Sequence, residues 1–393
     1  MEKKQNVPAL RFQGFSGEWK RQKFGEVATF INGRAYAQSE LLSAGKYKVL
    51  RVGNFYTNST WYYSNLELSD KYYANRGDLL YTWSATFGPH IWDGDKVIYH
   101  YHIWKIEVKE QLEKLFFLQL LERDKKNLLN DTNGSTMVHI TKLGMENKTD
   151  FIPNNIDEQS KIGQFCSQIN CKIEKEKRKI QKLQQFRQAM LTKLFPREGA
   201  AEPELRFRGF SGKWKSCCLT DIATINPPGE LPETFNYVDL ESVIGTEIVK
   251  YRRETKFSAP SRAQRVAEDN DVFYQMVRPY QKNNCIFRGN DKTFVFSTGY
   301  AQLRPNCNSY FLLSLLQTEY FVGKVMELCT GTSFPAISAS DLARIPIYVP
   351  VMSEENGAIG EYFQNLDSYI SLQQKKLERM QRLKAALLEK LFV

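Results

Sequence analysis

The chain has few of the residues from which metal and cofactor sites are usually built. Its 393 residues include four histidines and seven cysteines, and no two cysteines have the CxxC spacing of a zinc site. There is also no GxG loop of the kind that cradles the phosphates of a nucleotide-like cofactor. We therefore expect the chain to bind no cofactor or metal of its own.

Long apolar stretches are missing as well. No run approaches the roughly 20 apolar residues that a membrane-spanning helix needs, and the opening MEKKQN lacks the apolar core of a signal peptide. An odd number of cysteines without paired spacing indicates reduced thiols and not a disulfide framework. These absences predict a cytoplasmic protein with no membrane partner.

What the chain does have is an ordinary globular composition with a basic surplus. Hydrophobic residues make up 42% and charged residues 25%, which argues against extensive disorder. The 54 Lys and Arg exceed the 44 Asp and Glu, so the net charge is +10. This sign favours a polyanionic partner such as DNA, whose phosphates release counterions when a basic protein binds. The length favours two domains over one.

Sequence motifs from the first half of the chain are repeated in the second half. Residues 8–20, PALRFQGFSGEWK, correspond to residues 203–215, PELRFRGFSGKWK, at an offset of 195. Further along, GDLLY at 77–81 corresponds to NDVFY at 270–274, at an offset of 193. Two copies with loops of variable length indicate a duplicated domain and not a solenoid, which needs three or more small units.

Each copy ends in a long helical segment, residues 158–195 and 355–392, without Gly or Pro after its first two turns. Apolar residues recur in alternating steps of four and three, which is the seam of a coiled coil. Matching seams in one chain favour pairing of the two helices with each other, and an antiparallel pair would give the chain an approximate internal two-fold axis. Dimerisation between two chains is the alternative. The seam residues are Ile162, Ile169, Ile173, Ile180 and Leu183 in the first helix, and Ile359, Leu366, Ile370, Leu377 and Met380 in the second.

Between each opening motif and its long helix, the pattern predicts a mixed α/β domain. β-branched and aromatic runs predict strands, and longer apolar-periodic runs predict helices. In the first copy we predict strands at 48–52, 78–82 and 96–107 and a helix at 112–129. In the second copy we predict strands at 234–239, 271–277 and 292–296 and a helix at 310–326.

Three segments have the outline of a catalytic or metal site. Asn226-Pro-Pro-Gly229 resembles the Asn-Pro-Pro-aromatic loop of adenine methyltransferases, but glycine replaces the aromatic that stacks on a flipped base, so we interpret it as a turn. Asp93 with Glu107-Val-Lys109 resembles a Mg²⁺-dependent nuclease core, yet the spacing is loose and the second copy lacks the acid and the lysine. His100 and His102 would share one face of a strand and could bind a metal, although an isolated pair more often packs or hydrogen-bonds.

Polar and basic residues interleaved with aromatics are the positive signal, because they suit contacts with phosphates and base edges. The segment 278–284 is the strongest candidate, since it follows a predicted strand and carries Arg, Gln and Asn. The candidate DNA-binding residues are Arg34, Arg51, Asn54, Trp83, Ser84 and His90 in the first copy, and Arg252, Arg253, Arg278, Gln281, Lys282, Asn283 and Asn284 in the second.

Several of these motifs together resemble the specificity subunits of type I restriction-modification systems, and the resemblance covers nearly the whole chain. Its marks are the paired LRFxGFxGxW openings, GDLL at 77–80 with NDVF at 270–273, RPY at 278–280, STGY at 297–300, and the helix ends KLF at 193–195 and 390–392.

The resemblance implies two target recognition domains, each reading one half of a bipartite sequence of double-stranded DNA, separated by two long antiparallel coiled-coil helices. It implies recognition domains at 1–155 and 198–352, with spacer helices at 156–197 and 353–393. It also implies a non-catalytic chain whose partners are two methyltransferase subunits, which use S-adenosylmethionine, and restriction subunits, which use ATP and Mg²⁺. A stand-alone nuclease or methyltransferase, and a coiled-coil adaptor without DNA specificity, are the alternatives.

Overall fold

The computed structural model of the chain describes residues 6–84, 86–131, 140–289 and 293–393, with only the backbone at 130 and 131. The chain divides into two compact units. Unit 1 contains the residues up to Glu176 together with Leu377–Val393, and unit 2 is Lys177–Lys376. Each unit therefore contains one repeat and a part of both long helices.

Within its described residues, the first repeat combines ten strands with three α-helices and then enters the first long helix. Its helices are α1 (Phe24–Val27), α2 (Lys114–Asp131), α3 (Lys142–Asn147) and the long α4 (Ile156–Leu194). Its strands are β1 (Lys20–Lys23), β2 (Ala28–Asn32), β3 (Tyr47–Leu50), β4 (Tyr62–Ser64), β5 (Tyr73–Ala74), β6 (Leu79–Thr82), β7 (Gly88–Ile91), β8 (Val97–Tyr99), β9 (Ile103–Val108) and β10 (Thr149–Ile152).

The second repeat follows the same order and adds one short hairpin, β14–β15. Its helices are α5 (Ser309–Leu316), α6 (Glu319–Leu328), α7 (Ala339–Ala343) and the long α8 (Ser353–Leu391). Its strands are β11 (Lys215–Cys218), β12 (Ala223–Ile225), β13 (Thr234–Val238), β14 (Val243–Ile244), β15 (Glu247–Ile248), β16 (Arg252–Thr255), β17 (Ala263–Val266), β18 (Val272–Gln275), β19 (Cys285–Ile286), β20 (Phe294–Ser297), β21 (Tyr300–Pro305) and β22 (Pro346–Val349).

The sheets have the same topology in both repeats. One four-stranded sheet is antiparallel, in the order β2-β9-β6-β7 in the first repeat and β12-β21-β18-β19 in the second. The other is mixed, in the order β4-β3-β8-β5 and β16-β13-β20-β17, with one parallel pair in each. A small ladder, β1–β10 or β11–β22, closes each repeat. The mixed α/β fold and the duplication predicted from the sequence are confirmed.

The central strands β6 and β18 carry the strongest apolar runs of their sheets, LLYT and VFYQ, and all four residues of each are buried. A strand covered on both faces needs such a continuous run, because neither face meets water. The tryptophans of the two opening motifs, Trp19 and Trp214, are also buried and belong to the main core of their unit.

Two sequence predictions of regular structure were wrong. The strand expected at 96–107 is two strands, because the chain turns at His100–His102, where the Ile103 amide donates to the His100 carbonyl. The helix expected at 310–326 is two helices, because the Thr318 side chain accepts a hydrogen bond from the Phe321 amide and starts a new helix. A propensity pattern does not show such a local side-chain cap. Lys292, at the start of the strand expected at 292–296, lies outside the described residues.

The opening motif of each repeat connects the two long helices within its unit. Arg11 forms a bidentate ion pair with Glu158 in the first turn of α4, and the Leu10 amide donates to the Lys390 carbonyl in the last turn of α8. The same pattern recurs when Arg206 pairs with Glu355 and the Leu205 amide donates to the Lys193 carbonyl. The carboxylates of Glu158 and Glu355 are each 1% exposed. The motif therefore holds the start of one helix and the end of the other.

The long helices are antiparallel where they meet inside a unit. In unit 2, Arg187 pairs with Asp367 and Lys179 donates to Gln373, so the partner number on α8 rises as the number on α4 falls. In unit 1, Ile162 and Cys166 of α4 share a core with Leu391 near the end of α8.

The seam residues named from the sequence face inward. Ile162, Ile173, Ile180, Ile359 and Ile370 are buried, and Ile169, Leu183, Leu366, Leu377 and Met380 are partly buried. Among the helices the structure describes, none has a window long and apolar enough to cross a membrane.

Candidate nucleic-acid interface

In both repeats the loop after the central strand lies beside the turn between two neighbouring strands. In the first repeat the Trp83 amide donates to the His102 carbonyl at 3.1 Å. In the second repeat the Met276 amide donates to the Gly299 carbonyl at 2.9 Å. The loops 83–87 and 276–284 are therefore structurally equivalent, and several of the predicted DNA-binding residues lie in them.

The first-repeat loop presents aromatic rings. The Trp83 indole stacks on Trp104, with ring centroids 5.8 Å apart and planes at 20°, and its Nε1 donates to the Tyr101 carbonyl at 3.0 Å. The Tyr101 side chain is 38% exposed and its ring lies 3.9 Å from that of His102. Ser84 is partly buried next to this cluster in sequence. Flat rings with few charges suit stacking and apolar contacts with bases.

His90 belongs to the same antiparallel sheet and is held as a neutral imidazole. Its ring stacks on Phe55, with centroids 4.2 Å apart, and its Nε2 lies 3.1 Å from the Tyr56 hydroxyl. Burial, and secondly the charge of Lys125, lower the pKa of His90 to about 4. At neutral pH this side chain offers hydrogen bonds but no charge.

His100 and His102 do not share a strand face, because they lie in the turn between β8 and β9. Their ring centroids are 5.0 Å apart. Burial, followed by the nearby His102 and Arg51, lowers the pKa of His100 to about 4, and burial also lowers the pKa of His102. Within the described ranges no group of three or more His, Cys, Asp or Glu is placed to hold a metal ion.

Two of the first-repeat candidates have structural roles that limit their contact with DNA. Arg34 forms a bidentate pair with Glu40, with N···O distances of 3.0 and 2.7 Å, so its charge is neutralised locally. The Asn54 carboxamide closes a turn, since it accepts from the Arg51 amide and donates to two carbonyls of the residues that follow. The Arg51 guanidinium lies over the Tyr62 ring at 4.2 Å, and among the described residues no acid pairs with it.

The second-repeat loop presents a guanidinium. Arg278 and Lys282 have positive φ values of 55° and 56° and flank a 3-10 turn over Pro279–Gln281. The Arg278 guanidinium lies 4.2 Å from the ring centroid of Phe334, a side chain that is 62% exposed. Phe334 was not predicted as a site residue. The sequence feature that could have identified it is an aromatic residue within GTSFP at 331–335, a run of small residues that is unusual around a core position.

The other polar residues of this loop mainly build it. Gln281 accepts a hydrogen bond from Gln275 at 2.9 Å, and the Lys282 ammonium pairs with Glu319 at 2.7 Å. Asn283 accepts from the Gly245 amide at 2.9 Å. The prediction for Asn284 is corrected: it is 1% exposed, and its oxygen accepts from the Gln275 amide at 2.8 Å. A carboxamide enclosed in this way cannot reach a base edge.

Arg252 and Arg253 point away from each other along β16, as neighbours on a strand do. Arg252 pairs with Glu254 at 2.8 Å and with Asp239 at 3.6 Å. Arg253 is exposed, and no acid among the described residues pairs with it. Of the two, Arg253 has the charge available for a phosphate.

The segments that outlined a catalytic site make ordinary structural contacts. Asn226 lies at a bend with a positive φ of 50°, and its side-chain oxygen accepts from the Gln302 amide of β21 at 3.0 Å. Glu107 pairs with Lys105 at 3.6 Å, and the Lys109 ammonium donates to the Glu26 carbonyl at 2.7 Å. All seven cysteines are free thiols, and burial raises the pKa of Cys166 to about 11.

Comparison with known proteins gives the same description for both repeats. The family model described as the type I restriction modification DNA specificity domain matches residues 16–185 and again residues 212–382. The two matches begin within the opening motifs and cover the strands and helices of both repeats together with most of both long helices.

Individual proteins are similar over most of their length. The chain is 23% identical over 347 residues to the type I restriction enzyme MjaVIII specificity subunit of Methanocaldococcus jannaschii, covering 79% of this chain and 77% of that protein. It also resembles the solved structure of the S subunit of a type I restriction-modification system from M. genitalium, with a TM-score of 0.65 and 16% identity, covering 98% and 99% of the two chains. At that identity the second likeness establishes the fold.

Proposed function

This chain belongs to the family of type I restriction-modification DNA specificity domains, and from that membership we propose that it is the specificity subunit of such a system, in which each repeat reads one half of a bipartite DNA target. The observation that carries the proposal is the duplication itself. Two repeats share one strand order and one opening motif, yet they present different side chains on equivalent loops. A shared frame with different surfaces suits the reading of two different half-sites.

The chemistry on the DNA would belong to partner subunits. Two methyltransferase subunits would supply the methyl transfer with S-adenosylmethionine, and restriction subunits would use ATP and Mg²⁺. The contribution of this chain is to select the sequence and to hold it in register. Its net charge of +10 supports the first part, because a basic protein gains affinity for DNA from counterion release.

A domain exchange tests the proposal. Residues 203–352 are replaced by the corresponding residues of a relative, and the chimera is expressed with the methyltransferase. Adenine methylation is then mapped in the genome. We expect one half of the methylated motif to change while the other half stays the same, because only one reader has been replaced. An unchanged motif, or a change in both halves, would contradict the assignment of one half-site to each repeat.

The alternatives make different predictions for the purified chain. A stand-alone nuclease or methyltransferase would act on DNA when given only Mg²⁺ or S-adenosylmethionine, and changing Glu107 or Asn226 would abolish that activity. A coiled-coil adaptor would bind its partner proteins but show no salt-dependent affinity for duplex DNA. For a DNA reader assembled with its partners, we expect affinity to fall steeply as salt rises.

A further inference from the structure

The turn at 278–282 is held in a backbone conformation that its residues do not prefer. Arg278 and Lys282 both lie in the left-handed region, with φ of 55° and 56°, where a side chain carrying a Cβ is disfavoured. Such positions persist only when the surroundings hold them, and they concentrate at functional sites. An observed outlier of this kind justifies asking what the turn presents.

Hydrogen bonds from neighbouring residues hold this turn in place. The Arg278 amide donates to the Pro335 carbonyl at 2.7 Å, and the Gln281 and Lys282 amides donate back to residues 278 and 279 at 3.0 Å. From beneath, Gln275 donates to the Val277 carbonyl at 2.7 Å and to the Gln281 side chain. The loop is therefore pre-organised, so little ordering would be needed on binding.

Tyr280 and Gln281 are the exposed residues of this turn, and Arg278 is partly buried beside them. The Arg278 guanidinium lies over the exposed ring of Phe334, and no carboxylate among the described residues pairs with it. The nearby Lys282 differs, because Glu319 neutralises it. Stacking on an aromatic ring fixes the plane of a guanidinium while leaving its N–H edge free to donate.

We propose that Arg278, oriented by Phe334, reads a guanine in the half-site recognised by the second repeat. The guanidinium edge would donate two hydrogen bonds to guanine O6 and N7, the pairing that its fork geometry matches best in the major groove. This inference rests on the function proposed above. A phosphate contact would need neither a fixed plane nor an exposed aromatic neighbour, since a mobile cation serves equally well. The equivalent first-repeat loop has Trp83 and Ser84 and no cation among its described residues, so the assignment concerns one half-site only.

The test uses the full chain assembled with its methyltransferase subunits. The domain exchange is done first, to assign one half-site to the second repeat. Affinity is then measured for the target duplex and for duplexes in which each base pair of both half-sites is substituted in turn. Arg278→Lys keeps the positive charge and removes the planar guanidinium with its paired N–H donors. Phe334→Ala removes the stacking partner, and Arg278→Gly relieves the left-handed backbone, which guards against loss of folding. Arg208→Lys is the matched control, an exposed arginine of the same repeat that lies in the opening motif and is not among the candidate DNA-binding residues.

We expect Arg278→Lys and Arg278→Gly to reduce discrimination at one G·C pair of that half-site by about tenfold to a hundredfold, the usual worth of one bidentate pair. Phe334→Ala should reduce it about two- to fivefold, as expected for losing a cation–π contact. Arg208→Lys should leave discrimination at every position unchanged.

The outcomes separate the inference from the function on which it rests. If the unaltered assembly prefers no sequence, the proposed function fails and this inference fails with it. If the assembly reads a bipartite target but Arg278→Lys keeps full discrimination, or weakens all duplexes equally as loss of a phosphate contact would, only the Arg278 assignment is overturned. A change confined to the other half-site would overturn it as well.

Discussion

The two repeats share their frame and differ in what they place on it. In the first repeat, residues 83–87 join the central strand to its neighbour and carry an indole beside imidazole and phenol rings. In the second repeat the equivalent connection is residues 276–284, and it carries a guanidinium stacked on an exposed phenylalanine. The sheets do not change between the copies, but their connecting loops do. Recognition chemistry in this protein has therefore varied in the loops while the strands kept their order.

The repeats also differ in their content of histidine, the side chain that titrates near neutral pH. All four histidines, at positions 90, 100, 102 and 139, belong to the first repeat, and His139 lies outside the described residues. The second repeat contains no histidine. Its candidate DNA-binding residues include arginines, whose charge does not change over the physiological pH range.

The largest expected effect tests whether each repeat is completed by the end of a long helix. Phe392 stacks on Phe116, with ring centroids 5.5 Å apart, inside the core of unit 1, although it follows the second repeat in the chain. Phe195 packs at 5.5 Å from Phe311 in unit 2. We expect Phe392→Ala to destabilise unit 1, and Phe195→Ala to destabilise unit 2, each by about 3–5 kcal/mol. Hydrogen exchange resolved by peptide would locate each loss.

The control for this pair is Leu383→Ala, which alters a residue that is 59% exposed on α8, the helix that ends just before Phe392. We expect this substitution to change the free energy of unfolding of either unit by no more than about 0.5 kcal/mol. If Phe392→Ala accelerated exchange in unit 2 and left unit 1 unchanged, the description of unit 1 as completed by the C-terminal end of α8 would be wrong.

A somewhat smaller effect is expected at the two opening motifs. Arg11→Ala leaves the buried Glu158 carboxylate without its bidentate partner, and Arg206→Ala does the same to Glu355. Because an unpaired buried charge is costly, we expect each to lower the free energy of unfolding of its unit by roughly 3 kcal/mol. Chemical denaturation would measure the loss of unfolding free energy, and amide hydrogen exchange resolved by peptide would assign it to one unit.

The matched control is Arg76→Ala, whose partner Asp95 is 4.0 Å away and 99% exposed at the side chain. That pair should contribute less than about 1 kcal/mol. Equal losses at Arg11 and Arg76 would show that burial of the carboxylate is not what makes the motif ion pair important.

The smallest expected effect concerns acid. Burial lowers the pKa of His90 and His100 to about 4 in the folded protein, whereas each imidazole titrates at its ordinary 6.5 when exposed. Between these values the unfolded chain binds more protons, so the stability that these groups contribute is present above pH 6.5 and is lost as the pH falls towards 4. At pH 5 we expect unit 1 to lose roughly 2 kcal/mol in all, because the partly exposed His100 contributes less than its shift alone would give, and unit 2 to show no such loss.

Comparing hydrogen exchange at pH 7 and pH 5 would check this difference between the units. His90→Gln should remove part of the pH dependence of unit 1 while leaving unit 2 as it was. If both units lost stability equally between pH 7 and 5, the histidines would not be the cause.

Much of the fold could be predicted because its signals are local or repeated. The duplication follows from comparing residues 8–20 with 203–215, and the long helices follow from an apolar seam with alternating spacing. The candidate loop at 278–284 was identified for a similar reason, as a polar run after an apolar strand. Within it, however, the sequence made no distinction between Arg278, which is partly buried with its guanidinium over Phe334, and Asn284, which is 1% exposed. Residue type predicts which hydrogen bonds a side chain can make but not whether the chain has already used them.

The repeat, the mixed α/β pattern, the seams and the basic surplus are all predictable from the order of residues, because each is a property of neighbouring residues or of composition. Three features emerge only when the chain folds: Arg11 pairs with a carboxylate 147 positions away, Phe392 packs into the core of unit 1, and Phe334 lies beneath Arg278. These facts depend on which distant segments meet once the sheets and helices pack. Contacts of that kind leave no periodic trace in a single sequence.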